Sequence, residues 1–225
     1  ANYKVKIRPA VCGTLPTEYK ICSAPPPSSG GVAQNEIMYL YDLLKPGPNV
    51  KATEEAFLKT FVDAQRLAYA DRDHYVADAD VVPVPTQDLI NPEYLKVRAG
   101  EVFEPGEHAF PGDPGVALGR DPMRPMWGED ATEHKPGTSH LSIIDSDGNA
   151  VSMTMTVEAA FGSSRMAGGF LLNNQLTDFS RQPEMGGKPV ANAPAGGKRP
   201  RSSMSPTLVF DPNGDLFMVT GSPGG

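Results

Sequence analysis

The sequence predicts an α+β fold, and three observations carry that prediction. Two stretches in the first third place apolar residues at helical spacing, two hairpins with clear turn residues follow residue 137, and a segment dense in proline and glycine lies between. Helical stretches followed by antiparallel hairpins, rather than strands alternating with helices, favour segregated α and β layers over a doubly wound sheet.

From Gly31 to Lys45, Val32, Ile37, Leu40, Leu43 and Leu44 recur on one helical face, and "PGP" at 46–48 stops the run. Thr53 suits the N-cap of a longer helix, Glu54 and Glu55 complement its positive end, and Ala56, Phe57, Phe61, Ala64, Leu67 and Ala68 extend the apolar stripe to about Tyr75. Pro83 and Pro85 then break regular structure, and a short helix is expected around 91–99. Residues 101–137 read as a linker or surface loop.

After Gly137 the pattern alternates. "SHLSIID", a turn at "DSDGN" and "AVSMTMTV" predict a hairpin in which Ser152, Thr154 and Thr156 share one face and Met153, Met155 and Val157 the other. "GFLLNNQLTDF" is a shorter apolar run with a polar end. A Gly/Pro loop spans 181–200, and "PTLVF-DPNGD-LFMVT" makes a second hairpin.

The net charge of −7 and a single short basic cluster, Lys198, Arg199 and Arg201, argue against a nucleic-acid partner. No apolar run approaches the ~18 residues of a membrane-spanning helix, so no membrane segment is expected here. Cys12 and Cys22 flank "GTLPTEYK"; a hairpin disulfide and two separate thiols both fit, and the compartment stays open. "ANYKVKIRPAV" has no apolar signal core and "VTGSPGG" stops in a glycine turn after a strand, so the expectation is an internal piece of a longer chain.

Several chemistries lack their residues. There is no G-x-S-x-G elbow. "GGKRPRSS" has Arg199 where a phosphate loop needs Ser or Thr, and no strand precedes it. His74, His108, His134 and His140 never fall at metal-ligand spacing, and "DSDGN" lacks the closing Glu of a calcium loop, position 156 being Thr. Thr138 stands out, following Pro-Gly and opening a strand. It reads either as a strand-entry residue, where threonine is favoured, or as a nucleophile that attacks the Gly137 carbonyl and, once cleaved, uses its own α-amine as base.

Five stretches, "PPPSSGG" (25–31), "AYADRDHY" (68–75), "TSHLSIIDSDGNAVSMT" (138–154), "FLLNNQLTDFS" (170–180) and "KRPRSSMSPTLV" through "TGSPGG" (198–225), occur together in the order of one family. The chain resembles the γ-glutamyltranspeptidase family. The resemblance implies part of an αββα four-layer N-terminal-nucleophile hydrolase sandwich working without metal or cofactor. It implies transfer of a γ-glutamyl group from a glutathione-like donor to water or an amino acceptor. It divides the chain into residues 1–137, the end of a large-subunit region, and 138–225, the start of a small-subunit region, both cut from one precursor.

Position by position, the resemblance makes Thr138 the nucleophile and Gly137-Thr138 the autocleavage bond, with Thr156 supporting the Thr138 hydroxyl. It gives Gln175 and Asp178 to the donor α-amino group, Ser202 and Ser203 beside the Arg199–Arg201 cluster to the α-carboxylate, and the backbone N–H groups of Gly224 and Gly225 to the oxyanion hole. Ser139 replaces the family's usual second threonine, and Glu158 stands where many members have Asn for the amino group. "VEAAFGS" is similar to a bacterial branch that includes cephalosporin acylases, which leaves a glutaryl or cephalosporin acylase, and a catalytically silent fragment, as alternatives. The arginine that grips the donor carboxylate in the family falls upstream of Ala1, and the 181–200 loop sits where some members carry a lid but has no aromatic residue.

Overall fold

The computed structural model describes residues 3–45, 47, 53–101, 107–133 and 137–221. Two short strands, β1 (Val11–Thr14) and β2 (Lys20–Ser23), form a hairpin that pairs with β9 (Thr207–Phe210), which pairs with β10 (Leu216–Thr220) in an antiparallel sheet of order β1-β2-β9-β10. Cys12 lies opposite Cys22 in that first hairpin, and the two are disulfide-bonded.

The helices α1 (Gly30–Leu44) and α2 (Glu54–Tyr75) agree with their predicted spans. The Thr53 side chain accepts the Ala56 N–H at 3.1 Å, as an N-cap should. Short helices α3 (Thr86–Leu89), α4 (Pro92–Ala99) and α5 (Pro114–Ala117) complete the helical layer. Val32 and Leu40 of α1, Ala64 and Leu67 of α2, and Tyr94 and Leu95 of α4 share one buried apolar core, with Val11 reaching it from the sheet. At roughly 25 cal/mol per Å2 of apolar surface removed from water, burial of each of the larger side chains contributes about 1.5–3 kcal/mol.

The Pro/Gly-rich segment, expected to be a linker or surface loop, carries α5 and a 3-10 turn at Arg124–Met126 among its described residues, and several of these are tied to the helices. Buried Asp71 accepts from Arg98 Nε at 2.9 Å, the Tyr94 hydroxyl at 2.7 Å and the Gly112 N–H at 2.7 Å, while Tyr75 donates to the Gly112 carbonyl at 2.6 Å. The Asp113 carboxylate takes backbone N–H groups of Val116, Met123 and Arg124.

After that segment come β3 (Thr138–Ile144) and β4 (Ala150–Thr156), paired in the register Thr138↔Thr156, His140↔Thr154, Ser142↔Ser152. The small ladders β5–β6 (Met166–Ala167 with Phe170–Leu171) and β7–β8 (Glu184–Met185 with Lys188–Pro189) follow. The β3–β4 hairpin turns its polar face inward: Ser152 Oγ donates to the Thr220 carbonyl at 2.7 Å and accepts the Thr207 N–H at 2.8 Å, joining the hairpin to β9 and β10. Its apolar face is open, with Ile143, Val151, Met153 and Met155 between 43% and 55% exposed.

One buried group stands apart from these satisfied networks. Glu36 of α1 is fully buried, neither carboxyl oxygen has a hydrogen-bond partner, and the charged groups facing it are Asp71 of α2 and Arg98 of α4. Burial raises its pKa well above the ordinary value, Asp71 adds to the rise and Arg98 opposes it. The folded chain therefore keeps a proton that the unfolded chain releases, so stability falls as pH climbs from about 4.5 toward the raised value. Glu36→Gln, equal in size and unable to ionise, is expected to raise the melting temperature at pH 8 by at least ~2 °C, the effect of about 1 kcal/mol in a domain of this size. The gain should vanish near pH 4.5, and thermal unfolding at both pH values checks it.

Candidate active site

Seven of the residues nominated by sequence, Thr138, Thr156, Glu158, Gln175, Asp178, Ser202 and Ser203, line one cavity of about 600 Å3. These come from three separate stretches of chain, and each is delivered by a local reason.

Thr138 opens β3 and Thr156 closes β4, so the antiparallel register sets them opposite one another on the inward face. The Thr138 hydroxyl donates to Thr156 Oγ1 at 3.1 Å, and the Thr156 hydroxyl donates to the Gly137 carbonyl at 2.7 Å while accepting the Glu158 N–H at 2.8 Å. One hydroxyl thus links the side chain of Thr138 to the carbonyl that precedes it. Gly137 is required by space: a Cβ there would lie 1.8 Å from the Glu158 carbonyl oxygen. That contact exists because the chain reverses at Glu158, which takes a left-handed backbone conformation with φ of 72°.

The Glu158 side chain is buried in the cavity wall. Asn174 Nδ2 donates to its Oε2, and Asn174 Oδ1 accepts the Ala159 N–H at 3.0 Å, whereas Glu158 Oε1 has no partner. Gln175 and Asp178 lie on the 3-10 turn Gln175–Asp178, with Gln175 Nε2 donating to Asp178 Oδ2 at 3.0 Å. Burial raises the Asp178 pKa, the Gln175 hydrogen bond opposes this, and the charge of Glu158 reinforces it. Two carboxyl groups, one with a bare buried oxygen, make this an end of the cavity that calls for a cation.

At the other end the "PPPSSGG" and "RSSMSP" stretches hold each other. Ser29 N–H donates to the Ser202 carbonyl at 2.8 Å, and Ser202 N–H donates to the Pro27 carbonyl at 3.0 Å. Ser28 Oγ donates to the Met204 carbonyl at 2.5 Å, and a Cβ on Gly30 would meet Met204 O at 2.6 Å, so the start of α1 rests directly on the serine loop.

The basic cluster beside these serines is arranged differently from its sequence reading. Arg199 turns away to Asp80 and the Lys4 carbonyl, and Lys198 donates to the Ala191 and Ala193 carbonyls. Arg201 lines the cavity, but its terminal nitrogens are spent on Asp130 at 2.5 Å, Asp73 at 3.2 Å and the Asp73 carbonyl at 3.1 Å. The guanidinium that bonds a cavity serine is Arg72, 2.5 Å from Ser203 Oγ. It lies within "AYADRDHY", but its distance in sequence from the serines hid the link.

Gly224 and Gly225 lie outside the described residues. None of the described residues of the 181–200 loop lines the cavity; Gly128 N–H donates to Pro189 O, and Asn192 Nδ2 donates to Thr132 Oγ1, fastening that loop to the segment before Gly137. Among the described residues no group of three or more His, Cys, Asp or Glu is placed to hold a metal ion, and no helix is long and apolar enough to cross a membrane.

The profile of the gamma-glutamyltranspeptidase family matches residues 1–225. The chain is 38% identical over 237 residues to a glutathione hydrolase proenzyme of Escherichia coli (strain K12), covering 100% of this chain and 37% of that protein. It is 35% identical over 234 residues to the glutathione hydrolase proenzyme of Bacillus subtilis (strain 168), covering 100% of this chain and 38% of that one. The crystal structure of a cephalosporin acylase from Bacillus halodurans shares the fold, with a TM-score of 0.74 at 21% identity over 97% of this chain and 35% of that chain. The chain therefore spans a little over a third of the length of these relatives.

Proposed function

The chain belongs to the gamma-glutamyltranspeptidase family, and on that premise we propose that it carries the nucleophile and the donor-binding side chains of a γ-glutamyl hydrolase or transferase. The observation that carries this reading is the single cavity in which a paired threonine hydroxyl lies between an acidic end and an end of serine hydroxyls. An α-amino acid head group has one ammonium and one carboxylate, and this cavity offers a complement to each.

In the first step the Thr138 Oγ attacks the Gly137 carbonyl carbon, the hydroxyl proton passes to the peptide nitrogen, which leaves as the α-amine of Thr138, and Gly137 becomes an ester on the Thr138 oxygen. Water hydrolyses that ester, freeing the Gly137 carboxylate and a new amino terminus. Thr156 supports the step because its hydroxyl already donates to the carbonyl oxygen on which negative charge develops. In turnover the freed α-amine takes the Thr138 hydroxyl proton, the hydroxyl attacks the γ-amide of the donor, and the proton passes to the leaving amine. Water or an acceptor amine then releases the acyl group.

Glu158 and Asp178, with Gln175 orienting the latter, receive the donor ammonium, and Ser202 and Ser203 its carboxylate. The bare Glu158 oxygen favours an amino-bearing donor over a glutaryl one, since a glutaryl group would leave two carboxyl groups uncompensated. The division into a large-subunit side, 1–137, and a small-subunit side, 138–225, follows from cleavage at this bond. The open apolar face of the β3–β4 hairpin supports a four-layer αββα arrangement in which an outer layer covers it. The partners are thus the two subunits of one precursor, a γ-glutamyl donor, and water or an amine.

Two measurements check the proposal. In a precursor of the relatives' length that contains this chain, intact-mass analysis should find a new amino terminus at Thr138, none in Thr138→Ala, and cleavage slowed about 10^2-fold in Thr156→Val, as for loss of one oxyanion donor. An uncleaved wild-type precursor with no turnover of a γ-glutamyl anilide would sink the reading. Glu158→Asn should lower selectivity for γ-glutamyl over glutaryl anilides about tenfold, the worth of one charge-assisted hydrogen bond. Unchanged selectivity would remove Glu158 from the amino-group site.

A further inference from the structure

Ser202 and Ser203 reach the cavity with part of their hydrogen-bonding capacity already used, and the manner of its use decides what they bind. Ser202 Oγ accepts the Met204 N–H at 3.1 Å, and Ser203 Oγ accepts from Arg72 Nη2 at 2.5 Å. The Arg72–Ser203 bond can run in one direction only, because a guanidinium has no acceptor and keeps its proton. A hydroxyl that accepts such a bond keeps its own hydrogen, so each serine is free to donate toward the cavity.

Arg72 is itself held in place. It is 2% exposed, its Nε donates to Ser29 Oγ at 3.1 Å, its Nη1 pairs with Asp73 at 2.6 Å, and its guanidinium lies 5.3 Å from the Tyr69 ring centroid. Ser29 in turn donates to the Ser202 carbonyl at 3.0 Å, so one guanidinium braces both serines from behind. Burial and the neighbouring charge of Arg201 both work against the Arg72 cation, and Asp73 works for it. A carboxylate hydrogen-bonded to the two serines would offset that strain.

We propose that Arg72 is a positioning residue that, through Ser203 and Ser29, presets the Ser202–Ser203 pair as hydroxyl donors and so selects acyl donors bearing an α-carboxylate. The proposal rests on the cavity being a γ-glutamyl donor site. It assigns the selection to α2, an element that meets the serine loop from 131 residues away in sequence.

Three anilides separate the contributions. The γ-glutamyl compound carries ammonium and carboxylate, the glutaryl compound lacks the ammonium, and the 4-aminobutyryl compound lacks the carboxylate. In the cleaved, precursor-length enzyme, Arg72→Lys should raise KM for the first two about tenfold, equivalent to ~1.4 kcal/mol. Its kcat, and its KM for the 4-aminobutyryl compound, should move less than twofold. In a Ser203→Ala background the same substitution should add no more than about threefold, because only the branch through Ser29 is left to lose.

Equal losses on all three donors, or effects that multiply in the double variant, would overturn the proposal and leave Arg72 a packing residue. Should Arg72→Lys fail to fold, Ser29→Ala removes one brace of the guanidinium without touching Ser203, and a selective KM rise of about threefold is expected; an unselective one counts against the proposal. Calorimetric binding of L-glutamate against 4-aminobutyrate makes the comparison without turnover. Loss of the wild-type preference for glutamate in Arg72→Lys would support the relay even where no anilide is hydrolysed, a result that would sink only the reading of the reaction.

Discussion

The Thr156 hydroxyl is the point on which the site depends, because it joins the Thr138 side chain, the Gly137 carbonyl and the turn at Glu158. Its position follows from strand register. The β3–β4 ladder sets Thr138 opposite Thr156, and a slip of one residue would turn every side chain of one strand to the other face. The turn guards that register: Asp145 accepts the N–H groups of Asp147 and Asn149, and the Asn149 side chain holds its carboxyl below the usual range. Gly137 completes the arrangement, since only a residue without a Cβ lets the Glu158 carbonyl approach so closely.

The remaining contacts place the two ends of the cavity around that pair. Ser152 fixes the hairpin to β9 and β10, the start of α1 supports the serine loop, and the turn at 175–178 brings Asp178 toward Glu158. Most of these bonds are polar and join segments far apart in sequence. The apolar core, by contrast, lies chiefly among α1, α2 and α4, away from the threonine pair. Core and cavity wall thus draw on different parts of the chain, with α1 and α2 common to both through buried Leu40 and Leu67 and cavity-lining Ile37 and Arg72.

How much of this was legible in the sequence depends on how local each signal is. Alternation and Gly148 disclosed the hairpin, and Thr53 with the helical apolar spacing disclosed α2, because both signals are complete within a few residues. The strands β1 and β2 went unseen: each is four residues long, and the partner that makes them a sheet, β9, lies nearly two hundred positions away. The segment before Gly137 read as a linker because its anchors, Asp71 and Tyr75, belong to α2. Family motifs supplied Thr138, Thr156 and the serines, and the structure brought them together. Proximity in sequence pointed to Arg199 and Arg201; Arg199 turns to Asp80, Arg201 lines the cavity with its guanidinium on Asp130 and Asp73, and the guanidinium bonded to Ser203 is that of Arg72.

Cleavage by way of an ester on Thr138 is tested most directly by hydroxylamine. Added to a precursor undergoing cleavage, it should intercept the ester and yield a fragment ending in a Gly137 hydroxamate together with one beginning at Thr138, both read by mass spectrometry. Cleavage that proceeds with no hydroxamate at Gly137, or at a different bond, would contradict the central claim.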